Sequence, residues 1–254
     1  MLDVDGTLTP IRKFPEWAKL SRNTAILLEK LSNIPSITTV FISGRTVDSL
    51  RKLIGLNNVI HTGEHGLEIK GRGFSHDYRS QIVSRLLPKL RKRLAGTAGK
   101  IPGVYLETKK HSFCIHYRSV RQTAIKKVMA ASVEALHAYE SKGMIRIMHG
   151  KKVIEVRPNI YCNKGTAVRF LLKHFKKTHK NIFPVFAGDD ISDEDAFKEL
   201  KGKGITIHVG AGRKSLAKHR VRNIAEMINI LRKLYSIRGE LSPADCTDDR
   251  RQRR

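Results

Sequence analysis

Asp3-Val4-Asp5-Gly6-Thr7-Leu8 is the stretch on which the reading of this chain turns. Two aspartates flank one residue, and a glycine and a small hydroxyl residue follow at once. Side chains alternate along a strand, but a chain that leaves the sheet here can turn both carboxylates toward one pocket. One carboxylate can then attack phosphorus while the other carries a proton. Glycine permits a tight turn, and its amide can point at a phosphate oxygen. An Asx turn after a strand would use the same residues without any chemistry. A calcium loop also opens on Asp-x-Asp-Gly, but no glutamate follows in the register of the bidentate ligand.

Composition sets the outer bounds. A chain of 254 residues allows one large domain or two modest ones, with ample core. No apolar run approaches membrane-spanning length and no leader precedes the motif, so no membrane partner and a cytoplasmic location are expected. Cys114, Cys162 and Cys246 lack metal-ligand spacing and read as free thiols in a reducing compartment. The net charge of +26 and pI near 10.3 point to polyanionic partners or to a general compositional bias. Basic residues are spread along the chain, with short clusters at Lys89–Arg93 and Lys214–Arg222. No RNP-like aromatic pattern or zinc-finger spacing accompanies them, so nucleic acid is not the expected partner. Nothing in the sequence fixes an oligomeric state.

Working outward from the motif, residues 15–31 read as a loop then a helix with Ile26, Leu27, Leu28 and Leu31 on its apolar face. Ile37 to Ile42 is a buried strand, a helix follows through Val47, Leu50, Leu53 and Ile54 to Gly55, and Val59 to Thr62 is another strand. Alternating strands and helices predict a parallel sheet covered on its faces. Then the pattern changes. Arg79 to Leu94 reads as a basic helix, Gly103 to Tyr117 as one or two strands, and Val120 to Tyr139 as a helix. Met144–Met148 and Val153–Val156 pair like a hairpin around His149-Gly150. This predicts an α/β insert over 72–157 between two halves of a core, 1–71 and 158–237. The polar, basic stretch 238–254 is predicted to be disordered.

Three further segments carry chemistry. Ser43, in Ile42-Ser43-Gly44-Arg45, ends a strand, where a hydroxyl and the following amides can bind phosphate oxygens or merely cap a helix. Lys164, in Asn163-Lys164-Gly165, starts a helix, where a cation can neutralise a transferring phosphoryl group and hold a nucleophilic carboxylate ionised. Gly188-Asp189-Asp190-Ile191-Ser192-Asp193-Glu194-Asp195 follows the apolar run Ile182–Ala187. Acids gathered at a strand end are costly without a cation, and this set suits Mg²⁺. An acid-rich helix N-terminus would also explain part of it.

In this order the four segments resemble the motifs of the haloacid dehalogenase-type phosphatases. That resemblance implies an α/β fold: a Rossmann-like core with a parallel sheet and an inserted α/β cap of the C2 class. It implies that Asp3 is the nucleophile and Asp5 the general acid and base, with Ser43 and Lys164 as the other catalytic groups. It implies Mg²⁺ held by the Asp3 carboxylate, the Asp5 carbonyl and Asp189, with Asp190 and Asp193 behind them. Members of that superfamily carry about four or more apolar residues before the first motif, whereas only Met1 and Leu2 stand here. The expectation is a fragment, a mis-started sequence or a weakened central strand.

The insert narrows the substrate. Strand periodicity puts Glu107 and Lys109 on one face, an acceptor and a donor that suit a polyhydroxyl ligand or simply a solvated sheet face. Glu107-x-Lys109-x-x-Ser112 with His116-Tyr117-Arg118, together with Gly63-Glu64-His65-Gly66, is similar to signatures of the trehalose-6-phosphate phosphatases. The similarity runs in order from Leu2 to about Ile230. It implies hydrolysis of trehalose 6-phosphate, with Thr7, Gly44, Arg45, His65, Glu107, Lys109, Ser112, His116, Arg118 and Glu155 binding substrate. Sucrose phosphate or a glycosyl-phosphoglycerate is the alternative substrate, and a catalytically impaired basic scaffold is the alternative class.

Overall fold

The computed structural model describes residues 1–77, 82–212 and 214–239. The expected disordered tail lies outside the described residues from position 240 on, as do Cys246 and the first residues, 79–81, of the expected basic helix. The chain divides into two compact units, Met1–His76 with Cys162–Arg254, and Asp77–Tyr161.

Along the chain the elements are α1 (Arg22–Ser32), β1 (Val40–Ile42), α2 (Val47–Ile54), β2 (Ile60–Gly63), β3 (Glu68–Gly71) and β4 (Phe74–Asp77). A π-helical turn at Ile82–Leu86 leads into α3 (Leu87–Gly96), followed by β5 (Tyr105–Thr108), β6 (Phe113–His116), α4 (Gln122–Ser141), β7 (Ile145–Gly150) and β8 (Val153–Pro158). The chain continues through α5 (Lys164–Phe175), β9 (Val185–Gly188), α6 (Ile191–Leu200), β10 (Ile205–Val209), β11 (His219–Val221) and α7 (Ile224–Gly239).

In the first unit β1 and β2 are parallel, as are β9, β10 and β11. Met1–Asp3 fills the slot between these two groups. Leu2 bridges Phe41 on one side and Ala187 on the other, both in parallel sense. The Leu2 amide donates to Val40 O at 2.8 Å and the Asp3 amide to Ala187 O at 2.9 Å. The lead-in is short, yet it joins both halves of the sheet and carries the motif to the carboxyl ends of the strands. β3 turns back antiparallel to β2, and β4 lies beside β3 at the edge.

Helices cover both faces, as near-continuous apolar strands require. On one side Leu27, Leu28 and Leu31 of α1 and Met227, Ile228 and Leu231 of α7 pack with Leu2 and Phe41. On the other, Val168 and Leu171 of α5 and Ala196, Phe197 and Leu200 of α6 pack with Ile42 and Phe186. Local chemistry sets the helix starts: Ser21 accepts from the Thr24 amide to cap α1, and Thr46 from the Ser49 amide to cap α2.

The second unit is an antiparallel sheet in the order β5-β6-β8-β7. Its apolar face, with Phe113, Ile115, Ile154 and Val156, packs on Leu87, Leu90 and Leu94 of α3 and on Val128, Ala135 and Leu136 of α4.

Several expectations shift. The seams fall at His76/Asp77 and Tyr161/Cys162, because β4 joins the edge of the first sheet and because Asn159 hydrogen-bonds Met144 O and Gly143 O in the second unit. The hairpin turns at Lys151-Lys152, with Lys152 at φ 66, and His149 and Gly150 pair within β7. Residues 182–184 precede β9 instead of starting it, since Pro184 has no amide to donate. Residues 103–117 form two separate strands.

Phe41 is fully buried at the middle of the sheet, in contact with the segment that carries the motif. Phe41→Ala is expected to destabilise the chain by about 3–5 kcal/mol. A denaturant titration in which the midpoint stays put would show that the sheet does not depend on this ring.

Candidate active site

The acids and the lysine converge at the carboxyl ends of the strands, where open α/β sheets place their ligands. Asp3 leaves the sheet directly after Leu2, Ser43 directly after β1, and Asp189 directly after β9. Asn163 and Thr166 form a capping box that makes Lys164 the first residue of α5. Asp190 and Asp193 form a second capping box at the start of α6.

Lys164 is the hub. Its Nζ lies 2.6 Å from Asp3 Oδ1 and 2.7 Å from Asp193 Oδ1, all three side chains being buried. Asp193 Oδ2 accepts from the amides of Asp189 at 3.0 Å and Asp190 at 2.9 Å, so it also holds the turn after β9. Thr7 Oγ1 lies 3.3 Å from both Asp3 Oδ2 and Asp189 Oδ1. Gly6 permits this crowding: its φ of +93° is in the left-handed region, and a Cβ there would collide with the Asp189 carboxylate.

The electrostatics follow from burial. Desolvation pushes the Asp3 carboxyl well above the usual carboxylate range; Lys164 opposes this, and Asp193 and Asp189 add to it. Asp189 is pushed up to about 6 by burial first and then by the carboxylates of Asp193 and Asp190. Burial works to discharge Lys164, but Asp3 and Asp193 outweigh it and hold its ammonium above the ordinary range.

Oxygens of Asp3, Asp189 and Asp193 lie within 4.8 Å of one another. Lys164 pairs with Asp3 and Asp193, and among the described residues no ion pair reaches Asp189, whose carboxyl burial and then the neighbouring acids raise. A hard, all-oxygen set with one acid unbalanced fits a divalent cation of the Mg²⁺ type.

Asp5 stands apart. Arg45 grips it with Nε on Oδ2 and Nη2 on Oδ1, both at 2.6 Å, while Nη2 also donates to Pro15 O at 2.7 Å. Arg45, expected to bind substrate, comes from the turn between β1 and α2, and in the structure its guanidinium is held by Asp5. Ser43 Oγ accepts from the Arg45 amide at 3.2 Å, and Ser43 O accepts from the His65 amide at 2.9 Å. Glu64 and His65 both adopt positive φ, and His65 Nε2 would sit 2.6 Å from a Cβ at Gly44. Gly44 and His65, from the turns that follow β1 and β2, therefore pack directly against each other.

In the second unit the polar face of the sheet collects Glu107, Lys109, Ser112, His116 and Glu155. Glu107 Oε2 pairs with His116 Nε2 at 2.8 Å, and Glu155 Oε1 takes Lys109 Nζ at 3.2 Å and Ser112 Oγ at 3.3 Å. Burial raises the Glu107 carboxyl, but its bond to His116 and the Lys109 charge prevail and hold it below the usual value. Arg118 stands outside this group and donates to Lys151 O. Arg157 is the member that motif reasoning missed: it donates to Glu155 Oε2 at 2.5 Å. Its signal was present, since Glu155 and Arg157 are two apart on one strand and share a face.

Residues 1–232 match the trehalose-phosphatase family. Trehalose 6-phosphate phosphatase RA3 of Zea mays is 32% identical over 260 residues, which cover 95% of this chain and 71% of that protein. The C-terminal domain of C. albicans trehalose-6-phosphate phosphatase has a TM-score of 0.73 at 27% identity, covering 95% of this chain and 92% of that one. A trehalose-6-phosphate phosphatase related protein has a TM-score of 0.79 at 24% identity, over 93% of this chain and 96% of its own. Matched along almost its whole length in sequence and in fold, this chain belongs to the trehalose-phosphatase family.

Proposed function

We propose that this protein hydrolyses trehalose 6-phosphate to trehalose and inorganic phosphate through an aspartyl-phosphate. The observation that carries the reading is the buried Lys164 ammonium, 2.6 Å from the Asp3 carboxylate, where it opposes the burial that raises that carboxyl and aims a cation at the point of attack. An Asp3 oxygen attacks phosphorus as the bond from phosphorus to the sugar oxygen breaks, and Asp5 gives its proton to that oxygen. Asp5 then takes a proton from water as the water attacks phosphorus, which releases phosphate and restores Asp3. For this work the Asp5 carboxyl must leave the Arg45 grip, so Arg45 sets when the acid is available. Lys164 and Ser43 share the charge on the transferring oxygens.

Mg²⁺ would be held by the carboxylates of Asp3 and Asp189 and by the Asp5 carbonyl, with Asp190 behind them. When bound it neutralises charge on the phosphoryl oxygens. Asp193, expected behind the metal, serves in this reading to position Lys164 and the Asp189 amide. The polar sheet face of the inserted unit supplies recognition of the sugar through Glu107, Lys109, Ser112, His116 and Glu155.

Asp3→Asn is expected to abolish phosphate release from trehalose 6-phosphate while the chain melts as before. Normal turnover in a folded Asp3→Asn protein would remove Asp3 from the nucleophile's role. Chelation by EDTA should stop the wild-type reaction and added Mg²⁺ restore it; full activity in EDTA would exclude the metal.

Gly6→Ala should displace the Asp189 carboxylate and abolish the rise in melting temperature that Mg²⁺ gives the wild-type chain. An unchanged Mg²⁺-induced shift in Gly6→Ala would show that Asp189 takes no part in the metal site.

Glu107→Ala should lower kcat/KM for trehalose 6-phosphate by roughly tenfold to a hundredfold, the worth of one or two buried hydrogen bonds. Hydrolysis of p-nitrophenyl phosphate, which has no sugar, should stay nearly unchanged. Equal losses on both substrates would place Glu107 in the fold or the reaction itself. A wild-type preference for sucrose phosphate would change the substrate and leave the phosphatase standing.

A further inference from the structure

A second basic site lies in the first unit at the amino end of β2, away from the strand ends that carry Asp3, Ser43 and Asp189. A cavity of about 510 Å³ opens there between α2, the start of β2 and the β3–β4 turn. Its lining includes Arg51, His61, Lys70 and Arg72, with the neutral donors Asn57 and Ser75. Register explains the grouping. His61 is directly opposite Lys70 across the β2–β3 pair, so the two side chains leave the sheet on the same face. Arg51 comes from the last turn of α2, and Arg72 from the turn that follows β3.

His61 is 2% exposed, and its Nε2 meets no hydrogen-bond partner among the described residues. A buried polar atom without a partner is uncommon in a folded protein and calls for an explanation. Burial first and then the Arg51 charge pull the imidazole down to about 4, so it is neutral at pH 7. A neutral imidazole can carry its proton on Nε2 and donate it. None of the residues that line the cavity is acidic, and Glu68, buried and 3.2 Å from Lys70 Nζ, borders them. Among the described residues that line the cavity, Arg51, Lys70 and Arg72 face one bordering acid, Glu68, which leaves an excess of positive charge around a donor that lacks an acceptor.

We propose that this cavity is a binding site for a phosphate group, carried by inorganic phosphate or by a small phosphate ester, held by Arg51, Lys70 and Arg72 and by the Nε2–H of His61. The two guanidinium groups match phosphate geometry, and a small rotation of the His61 ring brings its Nε2–H to a ligand oxygen. The site is separate from the centre where phosphate would be released, so it stands or falls independently of the proposed reaction.

The test is a titration of inorganic phosphate, and separately of glycerol 3-phosphate, into the full chain at low ionic strength, followed on the His61 ring resonances by NMR. These resonances are assigned by their loss in His61→Asn or, should that chain melt early, in His61→Gln. Saturable movement with either compound is expected, and the tighter of the two identifies the natural form of the phosphate. Arg51→Ala/Arg72→Ala should weaken that binding about tenfold or more, with melting temperature and p-nitrophenyl phosphate turnover unchanged. His61 resonances unmoved by both compounds would overturn the proposal. So would movement that survives unweakened in the double variant, or movement seen only with a single-stranded oligonucleotide, which would mark a nucleic-acid surface instead.

Discussion

Everything at the strand ends depends on one buried ion cluster, the Lys164 ammonium between the carboxylates of Asp3 and Asp193. Its three members come from the first strand segment, the start of α5 and the first turn of α6, which are far apart in sequence. Leaving any one of them alone would strand a charge in a place without water, at roughly 3–5 kcal/mol. Asp193 extends the cluster, since its second oxygen fixes the amides of Asp189 and Asp190. The position of the acid best placed to take a metal is thus set by the same residue that orients the lysine.

Close approach is the second constraint. Gly6 and Gly188 flank the cluster, and a Cβ on either would collide with a carboxylate, of Asp189 and of Asp193 respectively. The glycine of the first motif therefore does more than make a turn. It lets the Asp189 carboxylate, from the far half of the chain, come against the backbone that follows Asp3. A sequence motif that looks local is a packing requirement between two segments separated by more than half of the protein.

This explains which parts of the site were legible in the sequence. The acids and Lys164 stand at strand ends and helix starts, and those boundaries follow from apolar runs and capping residues. Whether Arg45 faces Asp5 could not be read, because it depends on how the loop at Pro15 folds back to offer its carbonyl. Arg157 was overlooked because a lone arginine in so basic a chain carries no signal until strand alternation puts it beside Glu155. β4 could not be read as part of the core, because it is short and polar and resembles a linker more than a strand. The central strand was the hardest to judge. Its strength lies in backbone hydrogen bonds to β1 and β9, which leave no mark in composition.

The polar faces of the two units differ in charge. At the strand ends Asp3, Asp189 and Asp193 face one compensating cation, Lys164, an arrangement that needs further positive charge before it can receive a dianion. On the sheet of the inserted unit Glu107 and Glu155 are met by Lys109, Arg157 and His116, and the acids are already balanced. Cys114, beneath them, is pushed up to about 12 by burial, so it is a neutral thiol and adds no charge. A neutral polyol brings hydroxyls that both donate and accept, and it needs fixed partners of both kinds with no net field. Glu155 already accepts from Lys109, Ser112 and Arg157, so those donors are oriented before any ligand arrives. A ligand whose donors and acceptors fit this fixed pattern would bind with little reorganisation, which favours it over one that does not.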